Sequence, residues 1–404
     1  MTTNATAANA NGVAMSSETA RSLTNPDGTE TVVYGTKFTQ VGQRTMSVVS
    51  GKGGTQGRPI ALLLGVAFDP GVDIAPIDAA QKFASEYIDV LHKVGVTSNE
   101  LTQELICGLL VTIDKSTDAK ILEPFVKISE TASGAEISDA LDEVIKRGHA
   151  ALADFEDDAS LASLDKKQML EDLKQLSSPN IGEHLMNDVG LTYTPSEKQV
   201  KNLAALYTDA LSKAFYMRDD CCLLFAGYGP DEYMPSLASL KVVGVVGTQV
   251  IHSIVEDDPL KTGRLTRITT TAQDSAEDEL LHGISGDDYS SAIELAVTGV
   301  KAMFGASKVK ADEFGEKFSK SLGSYFNDNY TRPFLRAVGC MDAPGLARVV
   351  DLLSRAQELR SACSNTQSTV GGVIEVLTIT KAEGIRWHRR LEPSLDGGGS
   401  SVLG

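Results

Sequence analysis

The stretch Thr2–Glu18 reads "TTNATAANANGVAMSSE", and whether it forms strands or trails as a loose terminus decides how the rest of the chain is placed. Its first half sets alanine among small polar residues, where a strand normally carries β-branched ones, so local preference for order there is weak. Outward from it, the first sixty residues are rich in Gly, Thr, Asn and Val and lack helical spacing. They read as short strands and turns, with "NPDG" at Asn25–Gly28 as one turn.

Further on, "SGKGGTQGRP" (Ser50–Pro59) follows the apolar "MSVV" and raises the question of a phosphate loop. Its start resembles the early-lysine loop of partition-type ATPases. Where such a loop needs Gly-Lys-Ser or Thr, however, the chain has Gly57, Arg58 and Pro59 and lacks the magnesium hydroxyl. The stretch therefore reads as a glycine-rich connection with solvated Lys52 and Arg58. "PIALLLG" (Pro59–Gly65) is a short continuous apolar run, expected as a strand covered on both faces. The stretch Asp78–Val94 carries Ala80, Phe83, Tyr87, Ile88 and Leu91 at helical spacing.

The chain has 404 residues, a hydrophobic content of 42% and a formal net charge of −17, so it is globular and has no face built for phosphate backbones. Nucleic acid is excluded as a partner on that ground. Five cysteines without paired zinc spacing read as reduced thiols. No apolar run reaches the roughly 20 residues of a membrane span, and the N-terminus lacks a secretory pattern. A cytoplasmic protein with no metal and no cofactor is expected.

From Ser98 to about residue 190 the sequence is acidic and helical. After it, "TPSEKQVKNLAALYTDAL" is expected to open at Thr194 as N-cap, with Glu197 completing a capping box. "CCLLFAGYG" (Cys221–Gly229) and "LKVVGVVG" read as sheet strands, and residues 256–279 as a surface strand and loop. Ser290–Phe304 and Ala343–Leu359 read as helices, and "GGVIEVLTIT" with "IRWHRR" as a hairpin. The tail "DGGGSSVLG" has nothing to bury.

Several of these pieces, taken in order, resemble the proteasome β-subunit and HslV family of N-terminal nucleophile (Ntn) hydrolases. "NGVAMSSE" is similar to that family's second strand, and Glu18 lies sixteen residues after Thr2, where the family carries an aspartate. "VYGTKF" supplies Lys37 near the family lysine, and Gly65 matches a strand-ending glycine. "LLFAGYGPDEYMPSL", "SAIELAVTGVKAM" and "STVGGVIEVLTITKAEGIRW" resemble the later strand, helix and closing hairpin. "FAGYGPDE", "TAQDSAEDELLHGI" and "TVGG" are also similar to a functionally uncharacterised bacterial group placed in this superfamily.

The resemblance implies an α+β fold, a four-layer αββα sandwich with a large helical insertion. Residues 1–97 and 191–392 would form the sandwich, 98–190 the insertion and 393–404 a disordered tail. It also implies a threonine peptidase or amidohydrolase acting on a peptide or small amide, and a homo-oligomer. Loss of Met1 would free the Thr2 amine, so that the Thr2 hydroxyl attacks and its own amine relays the proton. Lys37 would tune that site, Glu18 would position Lys37, the Gly65 N–H would bind the oxyanion, and Ser368 would lie near the nucleophile.

The chain departs from the pattern in two places: Glu18 is one methylene longer than aspartate, and Lys37 comes a few positions late. The same features fit a degenerate member, a non-catalytic Ntn-fold assembly or interaction protein using the acidic insertion as its surface. Plainer roles stand beside each residue. Thr2 alone is a loose terminus, Glu18 a solvated turn residue and Lys37 an exposed strand lysine. Gly65 would serve tight packing, and Ser368 would cap a turn.

Overall fold

The computed structural model describes residues 3–24, 30–106, 109–117, 119–128, 132–158, 161, 164–175, 193–213, 221–259, 263–272, 275–304, 308–363 and 371–391. The expected "NPDG" turn, Thr2, Ser368 and the tail lie outside them.

The chain opens with strands β1 (Thr3–Asn9), β2 (Gly12–Glu18), β3 (Ala20–Thr24), β4 (Glu30–Tyr34), β5 (Phe38–Gly42) and β6 (Thr45–Ser50). The two-residue strands β7 (Gly54–Thr55) and β8 (Arg58–Pro59) lead into helices α1 (Ile60–Ala67) and α2 (Pro76–Lys93). A helical block follows: α3 (Ser98–Ile106), α4 (Leu109–Thr117), α5 (Glu123–Val126), α6 (Gly134–Leu152), α7 (166–175) and α8 (Glu197–Leu211). Next come β9 (Cys221–Gly227), β10 (Ser236–Val246), β11 (Gln249–Asp257) and β12 (Arg267–Ala272). Helices α9 (Ser275–His282), α10 (Gly286–Phe304) and α11 (Lys308–Phe326) run through a π turn at Asn327–Thr331 into α12 (Arg332–Gly339) and α13 (Ala343–Cys363). The hairpin β13 (Ile374–Thr380) and β14 (Gly384–Arg389) closes the fold.

The fold is mixed α and β with antiparallel sheets. One five-stranded sheet has the order β12-β1-β2-β13-β14, and a second runs β11-β10-β9-β6-β5. Val13, Met15, Leu377 and Ile379 of the first share a buried cluster with Met46, Val48, Leu224 and Ala226 of the second. Ala5, Ala7, Ala14 and Val376 on the first sheet pack with Leu346, Val350 and Leu353 of α13. Val49, Leu223 and Phe225 on the second pack with Leu63 of α1 and Phe83 and Tyr87 of α2. This arrangement explains the alanine-rich β1. Every residue of that strand is buried, and Ala5 and Ala7 let α13 sit close to the sheet, so packing overrides a weak intrinsic preference.

The helical block has its own core. Leu141, Val144 and Leu152 of α6 meet Leu203, Leu206 and Ala210 of α8. A Cβ at Gly148 would stand 2.8 Å from the Leu206 side chain, so glycine sets how closely these helices approach.

Two local expectations change. "PIALLLG" is a helix: Pro59 precedes it in extended conformation, and Ile60, Leu63, Leu64 and Ala67 are buried at helical spacing. A short apolar run fits either element, and its burial on one stripe decides for helix. Helix α8 begins later than expected, with Ser196 as N-cap and Gln199 completing the capping box in place of Thr194 and Glu197.

Candidate active site

Glu18 ends β2, opposite Ile374 of β13, and Lys37 stands just before β5, where its backbone oxygen accepts the Val49 N–H at 3.2 Å. The two strand ends bring the side chains together. Lys37 Nζ donates to Glu18 Oε1 at 3.3 Å, and the two are 3% and 1% exposed. The same oxygen accepts the Thr3 N–H at 3.0 Å, while Oε2 accepts the Gly371 N–H at 2.6 Å. Both carboxylate oxygens are thereby satisfied inside the protein, as a buried charge requires. Burial pushes the Glu18 carboxyl above its ordinary value, against the downward pull of Lys37 and the two backbone N–H groups.

The chain at Gly371–Val373 is fastened to this corner. Thr19 N–H donates to Val373 O at 3.0 Å, Val373 N–H donates to Thr19 Oγ1 at 3.0 Å, and Ala20 N–H donates to Gly371 O at 3.1 Å. Gly372 has φ +88°, and a Cβ there would stand 2.6 Å from Thr19 Oγ1. The second glycine of "TVGG" is thus required by backbone conformation and by space.

Among the neighbouring strand residues, Asn4 Nδ2 donates to Val49 O and to Thr271 Oγ1, both at 3.1 Å, and Asn4 Oδ1 accepts from Ser17 Oγ at 2.6 Å. This side chain ties β1 to β6 of the other sheet. Asn4 and Ser17 escape a reading of the sequence because their partners come from distant strands; nothing local marks them.

The structure brings Glu18 and Lys37 together and places Thr3, the residue after Thr2, on the same carboxylate. Thr2 and Ser368 lie outside the described residues. Gly65 does not fit the role of oxyanion donor. It lies exposed in the second half of α1, past the first four amides of the helix, so its N–H belongs to the helix ladder. Among the described residues no group of three His, Cys, Asp or Glu side chains is placed to hold a metal ion. No described helix is long and apolar enough to cross a membrane.

No protein-family model matches the chain, and no curated protein matches it. Among solved structures, it is similar to an Anbu (Gly-1) mutant from Hyphomicrobium sp. strain MC1. The two are 9% identical with a TM-score of 0.27, over 94% of this chain and 81% of that one. At that score the likeness carries nothing further.

Proposed function

We propose that the chain is an Ntn hydrolase that cleaves a peptide or other amide bond with Thr2, once Met1 is removed. The observation that carries this reading is the shared Glu18 Oε1, which accepts both the Thr3 N–H and Lys37 Nζ. It holds an ammonium one residue from the candidate nucleophile. The common core of the two sheets and the helices on their outer faces support the four-layer αββα sandwich of that superfamily.

In this mechanism Thr2 Oγ attacks the substrate carbonyl carbon, and the Thr2 α-amine takes the hydroxyl proton and delivers it to the leaving amine. An ester to Thr2 remains, and water activated by the same amine hydrolyses it. Lys37 favours negative charge developing on Oγ, and Glu18 keeps Lys37 in place. With Gly65 committed to α1, we assign the oxyanion N–H to the turn opening at Gly51, φ +70°. That turn follows Ser50, the last residue of β6, two residues after Val49, whose backbone hydrogen-bonds to both Lys37 and Asn4.

Intact mass and labelling test the reading. The expected result is loss of Met1 and a single adduct with a threonine-directed electrophile, absent in Thr2→Ala. Retained Met1, or an adduct that survives Thr2→Ala, overturns it. Loss of Met1 with no adduct favours the non-catalytic assembly role.

A further inference from the structure

The glycine-rich connection Ser50–Pro59 carries the turn at Gly51, and the helical block holds it. Three donors of the connection converge on the Glu104 carboxylate of α3. Lys52 Nζ bonds to Oε1, while Oε2 accepts the Thr55 hydroxyl at 2.9 Å and the Gln56 N–H at 3.2 Å. Two further bonds run from Gln56 Nε2 to Glu100 O and from Arg58 Nε to Val94 O, both at 3.1 Å. Lys52 and Arg58, expected from the sequence to be solvated, are both tied down.

The connection is a closed loop with a strained tip. Thr55 and Arg58 pair across β7 and β8, and the residues between them, Gln56 and Gly57, have φ +46° and +69°. Positive φ at both central positions makes a type I′ turn, which favours Asn, Asp or Gly at its first place. Glutamine is strained there, and its own N–H is secured by Glu104. At the base, the Ile60 N–H donates to Gly53 O at 3.0 Å, and a Cβ on Gly54 would stand 2.7 Å from Arg58 O. So tight a loop passes a shift at its tip back to Gly51, and Lys52, the residue beside Gly51, is held by Glu104 directly.

Helix α3 is a fixed point from which to do this. Its Leu101 lies in the core of the second sheet and α2 with Leu223 and Phe83, and its Leu105 in the core of the helical block with Leu141 and Leu203. Thr102 Oγ1 accepts the Gly247 N–H at 3.2 Å, just beyond β10. Burial pushes the Glu104 carboxyl up, but its bonds to Lys52, Thr55 and Gln56 outweigh this and leave it below its ordinary 4.5. It is therefore ionised at neutral pH and keeps its hold on Lys52.

We propose that Glu104 is a positioning residue: by holding Lys52 and Gln56 it sets the Gly51 turn in which the oxyanion forms, so that acylation of Thr2 depends on the helical block. This inference rests on the threonine-hydrolase reading above, with the oxyanion N–H in that turn.

Two electrophiles, used on the full chain and followed by intact mass, separate positioning from mere support. With a β-lactone, Thr2 Oγ adds to the carbonyl carbon and the carbonyl oxygen becomes the oxyanion. The ring C–O bond then breaks, and the released alkoxide takes the hydroxyl proton through the α-amine. A peptide vinyl sulfone takes Oγ at its terminal alkene carbon and the proton at the carbon beside sulfur, with no tetrahedral oxyanion. In Glu104→Ala the lactone rate should fall at least about tenfold and the sulfone rate less than about twofold, since only the first needs the turn in place. Glu104→Gln, which keeps an acceptor for Gln56, should recover part of the lactone rate. Lys52→Met removes a half-exposed partner, so it should show the same split even if Glu104→Ala fails to fold. A wild type that reacts with neither probe removes the hydrolase reading and this inference with it. A reactive wild type whose lactone-to-sulfone ratio is unchanged in the variants overturns the positioning role alone. So does an equal fall for both probes that follows a lowered melting temperature.

Discussion

Glu18 at the junction of the two sheets accepts from Lys37 and two backbone N–H groups, Glu123 on the helical block pairs with Lys127 and Arg147, and their acidities move in opposite directions. Glu18 is 2% exposed at its side chain and its carboxyl is pushed up by burial. Glu123 is 40% exposed and is held down to about 2 by hydrogen bonds from Lys127 at 2.6 Å and Arg147 at 3.0 Å. The number of partners is similar; access to water differs. In water, partners add to a charge that is already solvated, whereas in the sheet junction they only offset what solvation is lost. A buried pair of this kind is costly to keep.

The strongest way to break the comparison is to remove one partner on each side. Lys37→Met keeps length and leaves the Glu18 charge buried and uncompensated, so unfolding free energy should fall by about 3–5 kcal/mol, read by urea denaturation. Uptake of a proton by Glu18 limits the loss. Lys127→Met, removing an exposed partner, should be almost silent. Equal losses at the two positions would mean that burial is not what separates them.

A middle-sized effect is expected at Gly372, beside the Gly371 N–H that donates to Glu18. Gly372→Ala puts a methyl 2.6 Å from Thr19 Oγ1 in a backbone conformation with φ +88°, and should cost about 1–3 kcal/mol. The same change at Gly299, with open space around it, should stabilise or leave the helix unchanged. Thermal melts of both variants sharpen the contrast between a filled corner and an open face.

The sequence made one half of this comparison readable. The family resemblance set Glu18 and Lys37 at one site, whereas the plainer reading left both in solvent; their burial follows from how the end of β2 meets the start of β5. Gly65 misled because "IALLLG" is too short for its period to separate strand from helix, although Pro59 marked a helix start. Asn4 and Ser17 were invisible because their hydrogen bonds depend on how two sheets meet.

The gentlest test changes only protons. Because burial raises the folded value for Glu18 above its ordinary 4.5, the native state holds that proton more tightly than the unfolded chain. Its contribution to stability is full below 4.5 and is lost as pH rises through the folded value. For Glu123 the sign reverses: its contribution is present above 4.5 and is lost as pH falls toward about 2. Stability measured by urea titration from pH 2 to 8 should therefore lose its decline above pH 4.5 in Glu18→Gln, and its decline below pH 4.5 should soften in Glu123→Gln. Glu18→Gln keeps the shape of the side chain, though its single oxygen accepts only one of the two N–H groups that reach separate carboxylate oxygens; an unchanged decline above pH 4.5 in that variant, with a softened decline below it, would show that Lys37, and not burial, governs the carboxylate.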